Sequence, residues 1–423
     1  MDMLVLFLSM LLLIFIGVPI GIAVGTSCFL TVIMFSDLPL ILIAQNCFTG
    51  IDSFPLMAVP FFVLAGVLMG TGGIAKRLMD CVAVLVGAIT GGLAIVSTIT
   101  SMFFGAISGS AVASVSAIGT MMIPEMVRKG YDKGFSAALL AASGTIGVII
   151  PPSVPLVIYG VATNTSIGDL FLAGLFPGIL MGIGLSITSY GMSKKRGYVG
   201  TGEIIKPKRA LKIIWDGKLA LLSPLIVLGG IYTGIFTPTE ASVVSVVYSF
   251  VIGKFAYKEL NFSMIYNAIL EASVISAVTM FLIGFSTTFA TYINLAQIPQ
   301  EIAAFMIGLT DNPILMLLFI NVFLLFVGML IDNIPAVLIL APIFLPIVES
   351  LGVSPIHFGI IMTMNLAIGF VTPPYGINLF VATAISDVSM ERLSKSVMPF
   401  IATLIAVLML VTYVPGLSMA LIK

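Results

Sequence analysis

Residues 123–153 read "IPEMVRKGYDKGFSAALLAASGTIGVIIPPS", and residues 345–375 read "LPIVESLGVSPIHFGIIMTMNLAIGFVTPPY". The two stretches align without a gap at a constant offset. A glycine and a Pro-Pro pair coincide in the two copies: Gly147 with Gly369, and Pro151-Pro152 with Pro373-Pro374. Self-similarity at a fixed offset is the signature of a repeated structural unit. We therefore predict two copies of a helix that is broken at Pro-Pro.

A second repeated feature precedes each of these stretches. The segment "GAISGSAVAS" from Gly105 aligns with "GMLIDNIPAV" from Gly328 after a shift of one residue. In both places a short polar segment interrupts an otherwise apolar helix. Each half of the chain therefore has the same order of elements: an apolar helix, a polar break, a second apolar helix, a connecting loop and a helix broken at Pro-Pro.

The composition places these repeats in a membrane. Of the 423 residues, 60% are hydrophobic and 9% are charged, whereas roughly a quarter of a soluble domain is charged. Apolar runs of the ~20 residues needed to cross a bilayer recur along the chain. We therefore predict an all-α polytopic membrane protein. Three cysteines without a CxxC pair indicate no metal site, and no basic tract interleaved with aromatic residues indicates nucleic acid as a partner.

The charge pattern indicates that the two repeats are inverted. Cytoplasmic loops are enriched in Lys and Arg. The first connecting loop, 125–134, contains three basic residues, whereas the second, 347–356, contains none. There is no Lys or Arg between Lys258 and Arg392. The first loop is therefore predicted to be cytoplasmic and the second extracytoplasmic, and the C-terminus, after a last span over 397–418, is predicted to be outside.

The same pattern divides the chain into segments. Met3 to Phe35 forms either two short crossings or one long bent helix, and 72–88 resembles an interfacial helix. The predicted units are an N-terminal scaffold (1–90), a first repeat (91–190, with a hairpin over 91–124 and a broken helix over 135–163), a basic cytoplasmic linker (191–218), a second scaffold (219–310) and a second repeat (311–423, with a hairpin over 312–348 and a broken helix over 356–386).

The polar breaks suggest ion binding. The two helices around Ser108 and Ser110 must start and end on one side of the membrane, so they form a re-entrant hairpin whose tip lies in the bilayer. Backbone exposed at that depth is tolerated only where it is buried in protein or lines a cavity. Broken helices offer carbonyls to cations and N-termini to anions. Small residues in membrane helices also serve packing, but both breaks occur twice at matched positions, which packing alone would not require.

The remaining polar residues favour transport over catalysis. Asp332, at the second tip, is an ionisable residue at membrane depth and therefore a functional candidate. No intramembrane Asp pair, HExxH motif or Ser-His arrangement is present, so we expect no enzyme and no cofactor. A passive channel would not need a pair of moving hairpins. His357 lies beside a loop, and we expect it at the membrane interface.

The motifs "FFGAISGSAVASVSAIG", "GTIGVIIPPSVPLVIYG" and "NLAIGFVTPPYGINLFVA" closely resemble the large membrane subunit of tripartite ATP-independent periplasmic (TRAP) transporters. This resemblance covers essentially the whole chain. It implies a sodium-coupled importer of organic acids in the bacterial inner membrane that works by an elevator-type motion. Two partners are implied, namely a periplasmic substrate-binding protein and a separate small four-helix membrane subunit. The motifs are most similar to the sialic-acid branch of the family.

The resemblance also implies two sodium sites with Na⁺ as the coupling ion. The first set of residues is Ser108, Ser110, Gly147, Ile150 and Pro152, and the second is Asp332, Asn333, Gly369, Thr372 and Pro374. An alternative within the same class is a self-sufficient sodium-dependent symporter of di- or tricarboxylates, which shares this inverted-hairpin design.

No basic side chain is expected near the middle of the membrane. An anionic substrate is therefore predicted to be held by bound sodium, by half-helix N-termini and by the polar groups just after each Pro-Pro break. These are Ser153, Tyr375 and Asn378. The alternative is that the three side chains only satisfy the broken backbone.

Overall fold

The computed structural model describes residues 2–36, 38–200, 207–310 and 312–422. Every regular element in these ranges is helical, and seven of the helices are long and apolar enough to cross a membrane. The predicted all-α polytopic architecture is confirmed for this part of the chain. Residues 201–206 of the predicted linker and residues 311 and 423 of the predicted second repeat lie outside the described residues.

The first half contains eleven helices among the described residues. They are α1 (Asp2–Phe15), α2 (Ile20–Phe35), α3 (Ile41–Ile51), α4 (Ala58–Thr71, preceded by a 3₁₀ turn Phe54–Met57), α5 (Ile74–Val86), α6 (Gly92–Ser108), α7 (Ala111–Arg128), α8 (Lys133–Gly144, followed by a 3₁₀ turn Thr145–Val148), α9 (Val154–Thr163), α10 (Ile167–Arg196) and α11 (Pro207–Asp216).

The second half has the same order of hairpin and broken helix. Its described helices are α12 (Lys218–Tyr232), α13 (Pro238–Val251, extended by a π-helical turn Ile252–Ala256), α14 (Phe262–Leu295), α15 (Ile298–Leu309), α16 (Pro313–Leu330), α17 (Asn333–Ser350), α18 (Pro355–Gly369), α19 (Ile377–Ser386), α20 (Met390–Tyr413) and α21 (Gly416–Met419).

The N-terminal segment forms two helices rather than one bent helix. Helix α1 ends at Phe15, and Gly17 has a φ of +91°, a left-handed conformation that glycine adopts without steric cost. Pro19 then caps α2. The two helices pack against each other, so the alternative of one long bent helix over Met3 to Phe35 does not describe this segment.

Each hairpin turns at its polar break. Gly109 has a φ of +60° at the end of α6, and Ser110 begins α7 by accepting a hydrogen bond from the Ala113 N–H. In the second hairpin, Asp332 caps α17 and its carboxylate accepts the N–H of Asn333. Ser, Thr, Asp and Asn are the residues that cap helices best because a side-chain oxygen satisfies an N–H that has no helical partner.

The two helices that lead into the Pro-Pro pairs lie at the centre of the protein. All residues of α8 from Gly134 to Gly144 are buried, and so are all residues of α18 from His357 to Gly369. A helix that is apolar or small on every face is expected to be covered on every face. The broken helices therefore form the core, around which the other elements pack.

The two repeats pack against each other through equivalent pairs of helices. Helix α7, the second arm of the first hairpin, packs on α19 of the second repeat, and α17, the second arm of the second hairpin, packs on α9 of the first repeat. Tyr159 on α9 also donates a 2.8 Å hydrogen bond to the Pro355 carbonyl at the start of α18. This exchange agrees with a two-fold relation between the copies.

The bounds of one predicted element differ from the structure. The last span begins at Met390 rather than 397 and ends at Tyr413, because the polar residues Arg392 and Lys395 belong to its first turns. His357 lies in the first turn of α18, beside the loop, and is buried, with 2% of its surface exposed. Its ring lies 2.6 Å from the Ser418 hydroxyl, because α21 folds back over the start of α18.

Candidate functional site

In the first repeat, the hairpin tip lies directly against the broken helix. A Cβ atom added to Gly147 would lie 3.1 Å from Cα of Gly105 and 3.0 Å from the Ser110 carbonyl oxygen. A Cβ on Gly109 would lie 3.0 Å from the Pro152 carbonyl oxygen. Glycines at these positions let the two backbones approach closely. The predicted residues Ser110, Gly147 and Pro152 are thus brought together.

A third serine, absent from the predicted set, joins this tip. The Ser114 hydroxyl donates a 2.9 Å hydrogen bond to the Ser110 carbonyl and lies 3.5 Å from the Ser108 hydroxyl. Ser108 and Ser114 are both buried. The signal for Ser114 in the sequence is its position one helical turn after Ser110, in "SGSAVAS", which places the two on the same face of α7.

The Pro-Pro break supplies carbonyl oxygens that helical bonding cannot use. Pro151 has no N–H, so the Gly147 carbonyl has no donor four residues further along the chain. Ile150, a predicted site residue, is buried, and a Cβ on Gly178 of α10 would overlap its side chain. The first site is therefore rich in neutral oxygens, from hydroxyls and carbonyls, and contains no charged side chain.

The second repeat shows the same close approach between tip and break. A Cβ on Gly328 would lie 3.0 Å from Cα of Leu366, and one on Gly369 would overlap the Gly328 backbone. Gly105 with Gly147 and Gly328 with Gly369 are thus equivalent contacts, one in each repeat. This equivalence agrees with the alignment of the two tips that required a shift of one residue.

The second tip carries one acidic side chain and one buried amide. Asp332 is partly buried, and Asn333 is 1% exposed. Neither the oxygen nor the nitrogen of the Asn333 amide has a hydrogen-bond partner among the described residues. Leaving such a group unsatisfied costs about 1–3 kcal/mol. An unpaired amide oxygen next to a carboxylate is a donor set that suits a hard cation.

The other two predicted residues of the second site are less enclosed. The Thr372 hydroxyl donates a 2.8 Å hydrogen bond to the Ile368 carbonyl, and the Thr372 N–H donates to the Gly369 carbonyl at 3.0 Å. Pro374 is exposed. The second break is thus more open to the surface than the first break, where Ile150 and Pro152 are buried.

In each repeat, one backbone carbonyl before the Pro-Pro pair accepts a hydrogen bond from a residue that follows the pair. The Val148 carbonyl accepts the hydroxyl of Ser153 at 2.6 Å, and the matched Phe370 carbonyl accepts the N–H of Asn378 at 3.0 Å. Ser153 also accepts the N–H of Leu156 and is fully buried. The Ser153 hydroxyl therefore makes its hydrogen bonds with backbone groups around the break. This is the alternative role considered above for the predicted substrate-binding residues.

Tyr375 and Asn378 are placed differently from Ser153. Tyr375 is 50% exposed and lies edge-on to Phe380. The Asn378 side chain crosses to the first repeat, where its amide nitrogen donates to the Ala141 carbonyl at 3.0 Å. Its amide oxygen is buried and has no partner among the described residues. Tyr375 is therefore accessible from the surface, whereas the unpaired oxygen of Asn378 is buried inside the protein.

A chain of polar side chains that was not predicted lies beside the second site. The Asn365 amide donates to the Asn321 oxygen at 2.7 Å, and the Asn321 amide donates to the Thr412 hydroxyl at 3.2 Å. The Asn365 oxygen is buried and has no partner among the described residues. These contacts connect α16, α18 and α20. Asn365 lies one turn before Gly369 in "NLAIG", which is the signal that could have identified it.

Charged groups gather away from both sites, at the predicted cytoplasmic side. The Asp132 carboxylate lies 2.5 Å from Arg392 and 3.8 Å from Arg196. Partial burial disfavours its ionised form, but the N–H of Phe135 and the two guanidinium groups outweigh this, and together they lower the pKa of Asp132. This cluster ties the loop between α7 and α8 to α10 and α20. No described Lys or Arg lies at either tip or break.

Comparison with known sequences identifies the family. The model of the "Tripartite ATP-independent periplasmic transporter, DctM component" matches residues 7–417. The isethionate TRAP transporter permease protein DctMQ of Oleidesulfovibrio alaskensis is 48% identical over 98% of this chain, which spans 65% of that relative's length. The C4-dicarboxylate TRAP transporter large permease protein DctM of Pseudomonas aeruginosa is 41% identical over 94% of this chain and 93% of its own length.

The substrate names of the relatives differ. The sialic acid TRAP transporter large permease protein SiaM of Vibrio cholerae is 39% identical over 97% of this chain and 96% of its own length. Relatives named for isethionate, C4-dicarboxylates and sialic acid are thus of comparable similarity. Family membership does not select among these substrates, and the assignment to the sialic-acid branch stays a prediction.

A solved structure shows the same fold. The YdaH transporter of Alcanivorax borkumensis superimposes with a TM-score of 0.65 over 88% of this chain and 87% of its own, at 16% sequence identity. At this identity the match concerns the fold alone. The family model covers nearly the whole length, and the relatives of full length are transport proteins, not enzymes. The chain therefore belongs to the DctM family and is the large membrane subunit of a TRAP transporter.

Proposed function

We propose that this subunit couples the entry of Na⁺ to the uptake of a small organic anion across the bacterial inner membrane. The observation that carries the proposal is the pairing of each hairpin tip with a Pro-Pro break, at Gly105 with Gly147 and at Gly328 with Gly369. Each pairing brings a helix C-terminus, a helix N-terminus and free oxygens to one place, which is the arrangement that broken helices use to bind ions.

Two sodium ions occupy these places in the proposal. The first is held by hydroxyl and carbonyl oxygens around Ser108, Ser110, Gly147, Ile150 and Pro152. The second is held by Asp332, Asn333 and carbonyl or hydroxyl oxygens at Gly369, Thr372 and Pro374. The unpaired Asn333 oxygen supports the second assignment. Because the first site contains no formal charge, it suits an ion that must be released in every cycle.

The substrate is an organic acid, and the candidates are sialic acid, which the motifs suggest, and the isethionate and C4-dicarboxylates for which other relatives are named. Its anionic group binds near the two breaks, through sodium, half-helix N-termini and the free groups of Tyr375 and Asn378. A periplasmic binding protein delivers it, and a separate small four-helix subunit completes the scaffold. The hairpins and broken helices, α6–α9 and α16–α19, move together as an elevator, and the C-terminus lies in the periplasm.

Uptake into proteoliposomes tests this function. The large subunit is reconstituted with its small subunit, and radiolabelled sialic acid, isethionate and a C4-dicarboxylate are offered with and without the cognate binding protein. Uptake that requires both an inward sodium gradient and the binding protein supports the proposal. Uptake by the large subunit alone indicates the self-sufficient symporter, and uptake without sodium refutes the coupling.

Reciprocal affinity is a second test of the same coupling. If the anion is held partly by sodium, each ligand must raise the affinity of the other by the same factor. Calorimetric titration of the purified membrane complex with substrate at low and high sodium measures this factor. Substrate binding that does not depend on sodium, or an Arg or Lys that binds the substrate's anionic group, contradicts it.

A further inference from the structure

A deep apolar groove lies between α6, α10 and α12. Its volume is about 690 Å³, and its described lining is apolar except for Ser186 and Tyr190. Cavities of roughly 300–1,000 Å³ are typical of small-molecule sites. Its walls are apolar helices, of which α10 is long enough to cross the bilayer, so we expect its contents to come from the lipid phase.

One wall of the groove is a continuous stripe along α10. Leu175, Ile179, Ile183 and Ile187 follow one another at intervals of four residues, and Tyr190 continues the stripe. From Leu175 to Tyr190 the helix rises about 22 Å. This exceeds the ~15 Å that half of a bilayer's hydrocarbon core measures, so one extended acyl chain fits along the wall.

Each of two walls continues beyond the groove to a lysine, and the ammonium of one of them, Lys218, lies 3.4 Å from the centre of the Trp215 ring. Lys194, one turn after Tyr190 on α10, is exposed. Lys218 begins the opposite wall, α12, whose groove residue Leu225 lies two turns further on. The linker segment 194–218 contains eight basic and two acidic residues. The cytoplasmic surface of a bacterial membrane is anionic and attracts such segments.

We propose that this groove binds one anionic phospholipid of the cytoplasmic leaflet. Its acyl chain lies between α6, α10 and α12, and its phosphate lies between Lys194 and Lys218, with the Tyr190 hydroxyl at the glycerol level. An anionic phospholipid combines an acyl chain that fits the apolar groove with a negative headgroup that suits the two lysines. A neutral detergent or a zwitterionic lipid lacks the net negative charge.

The far end of the groove lies beside the first hairpin tip. Ala106, two residues before Ser108, and Ile150, at the Pro-Pro break, both line it. A bound acyl chain therefore contacts the tip and the break from their membrane side. It also lies between the groove residues of α12 and those of α6 and α10. The lipid is thus a spacer between the first hairpin and the second scaffold, whatever the transported substrate is.

Native mass spectrometry with a pair of lysine variants tests the headgroup site. The purified membrane complex is titrated with phosphatidylglycerol and, separately, with phosphatidylcholine of the same acyl chains. Lys194→Ala should weaken phosphatidylglycerol binding about fivefold, since one basic residue near an anionic surface contributes about 1 kcal/mol. Lys195→Ala is the matched control, because its side chain is exposed but rotated about 100° around α10. Equal effects of the two variants, or equal retention of both lipids, overturn the proposal.

Photo-crosslinking locates the acyl chain independently. A phosphatidylglycerol with a diazirine on its acyl chain should label peptides from α10 and α12 that contain Ile183 and Leu225. Ile183→Phe fills the groove and should reduce this labelling severalfold, whereas Ile269→Phe, on the exposed surface of α14, should not. Labelling confined to other surfaces, or protection of the groove by the small subunit, contradicts lipid binding there. Both experiments measure only lipid binding. A negative result would therefore not count against the proposed sodium-coupled transport.

Discussion

The hydroxyl of Ser153 donates a hydrogen bond to the Val148 carbonyl across the pair Pro151-Pro152. In the second repeat the matched carbonyl, that of Phe370, accepts a backbone N–H from Asn378 instead. Proline removes the helical donors on the C-terminal side of each break, and each repeat replaces one of them by a different route. The two breaks are therefore alike in shape but not in chemistry.

We expect Ser153→Ala to lower stability rather than substrate affinity. The variant leaves the buried Val148 carbonyl without its donor and α9 without its cap, a loss of about 1–2 kcal/mol. The apparent melting temperature in detergent should fall by a few degrees, and substrate affinity at saturating sodium should be unchanged. A lower affinity with unchanged melting would instead assign Ser153 to the substrate.

Gly369→Ala should destabilise the second repeat. Its methyl group would overlap the Gly328 backbone, and overpacking of this kind typically costs about 1–3 kcal/mol. Gly229→Ala on α12 is the control, because no atom lies within 4 Å of the added Cβ. Thermal unfolding of the two purified variants provides the comparison, and equal melting temperatures would show that the close approach is not required.

Replacing both tip serines should weaken the dependence on sodium. Ser108→Ala with Ser110→Ala removes two hydroxyl oxygens but keeps the small size of the tip. We expect the sodium concentration for half-maximal uptake to rise about tenfold, which corresponds to about 1.4 kcal/mol. Ser116→Ala, exposed on α7, should leave that concentration unchanged. An unaltered sodium dependence in the double variant would show that the first site is misplaced.

Asp332→Asn should impair coupling while keeping the cap of α17. Asparagine caps a helix as well as aspartate does, so folding should be preserved. The variant removes the one formal negative charge near the second tip, and a charge in a poorly hydrated place interacts more strongly than in water. Uptake at low sodium should fall at least tenfold, whereas Glu349→Gln, exposed at the end of α17, should not change it. Wild-type sodium affinity in Asp332→Asn would give this carboxylate a purely structural role.

The architecture could be predicted from the sequence because its main signals are local. Pro-Pro pairs interrupt a helix wherever they occur, and small polar residues such as Ser110 both turn and cap it. The repetition of both signals made their pairing predictable. The alignment also pairs Gly105 with Gly328, but it did not predict that they contact Gly147 and Gly369.

The contributions that were missed depend on distant parts of the chain. Ser114 joins the first tip because α6 and α7 bring it back to Ser108. His357 is buried because α21, more than fifty residues later, folds over it. The partners of Asn365 come from α16 and α20. Which polar side chain is satisfied, and by what, depends on tertiary packing that a single sequence does not display.

The contact of Asn378 with Ala141 has a consequence for how the protein is made. The two residues are 237 positions apart, and α19 covers both α7 and α8. A ribosome releases α8 long before it synthesises α19, so the first repeat enters the membrane with part of its surface uncovered. Domains synthesised early usually fold before later ones appear. Here we expect the packing of α7 and α8 to be completed only after the last quarter of the chain has been synthesised, because α19 covers both.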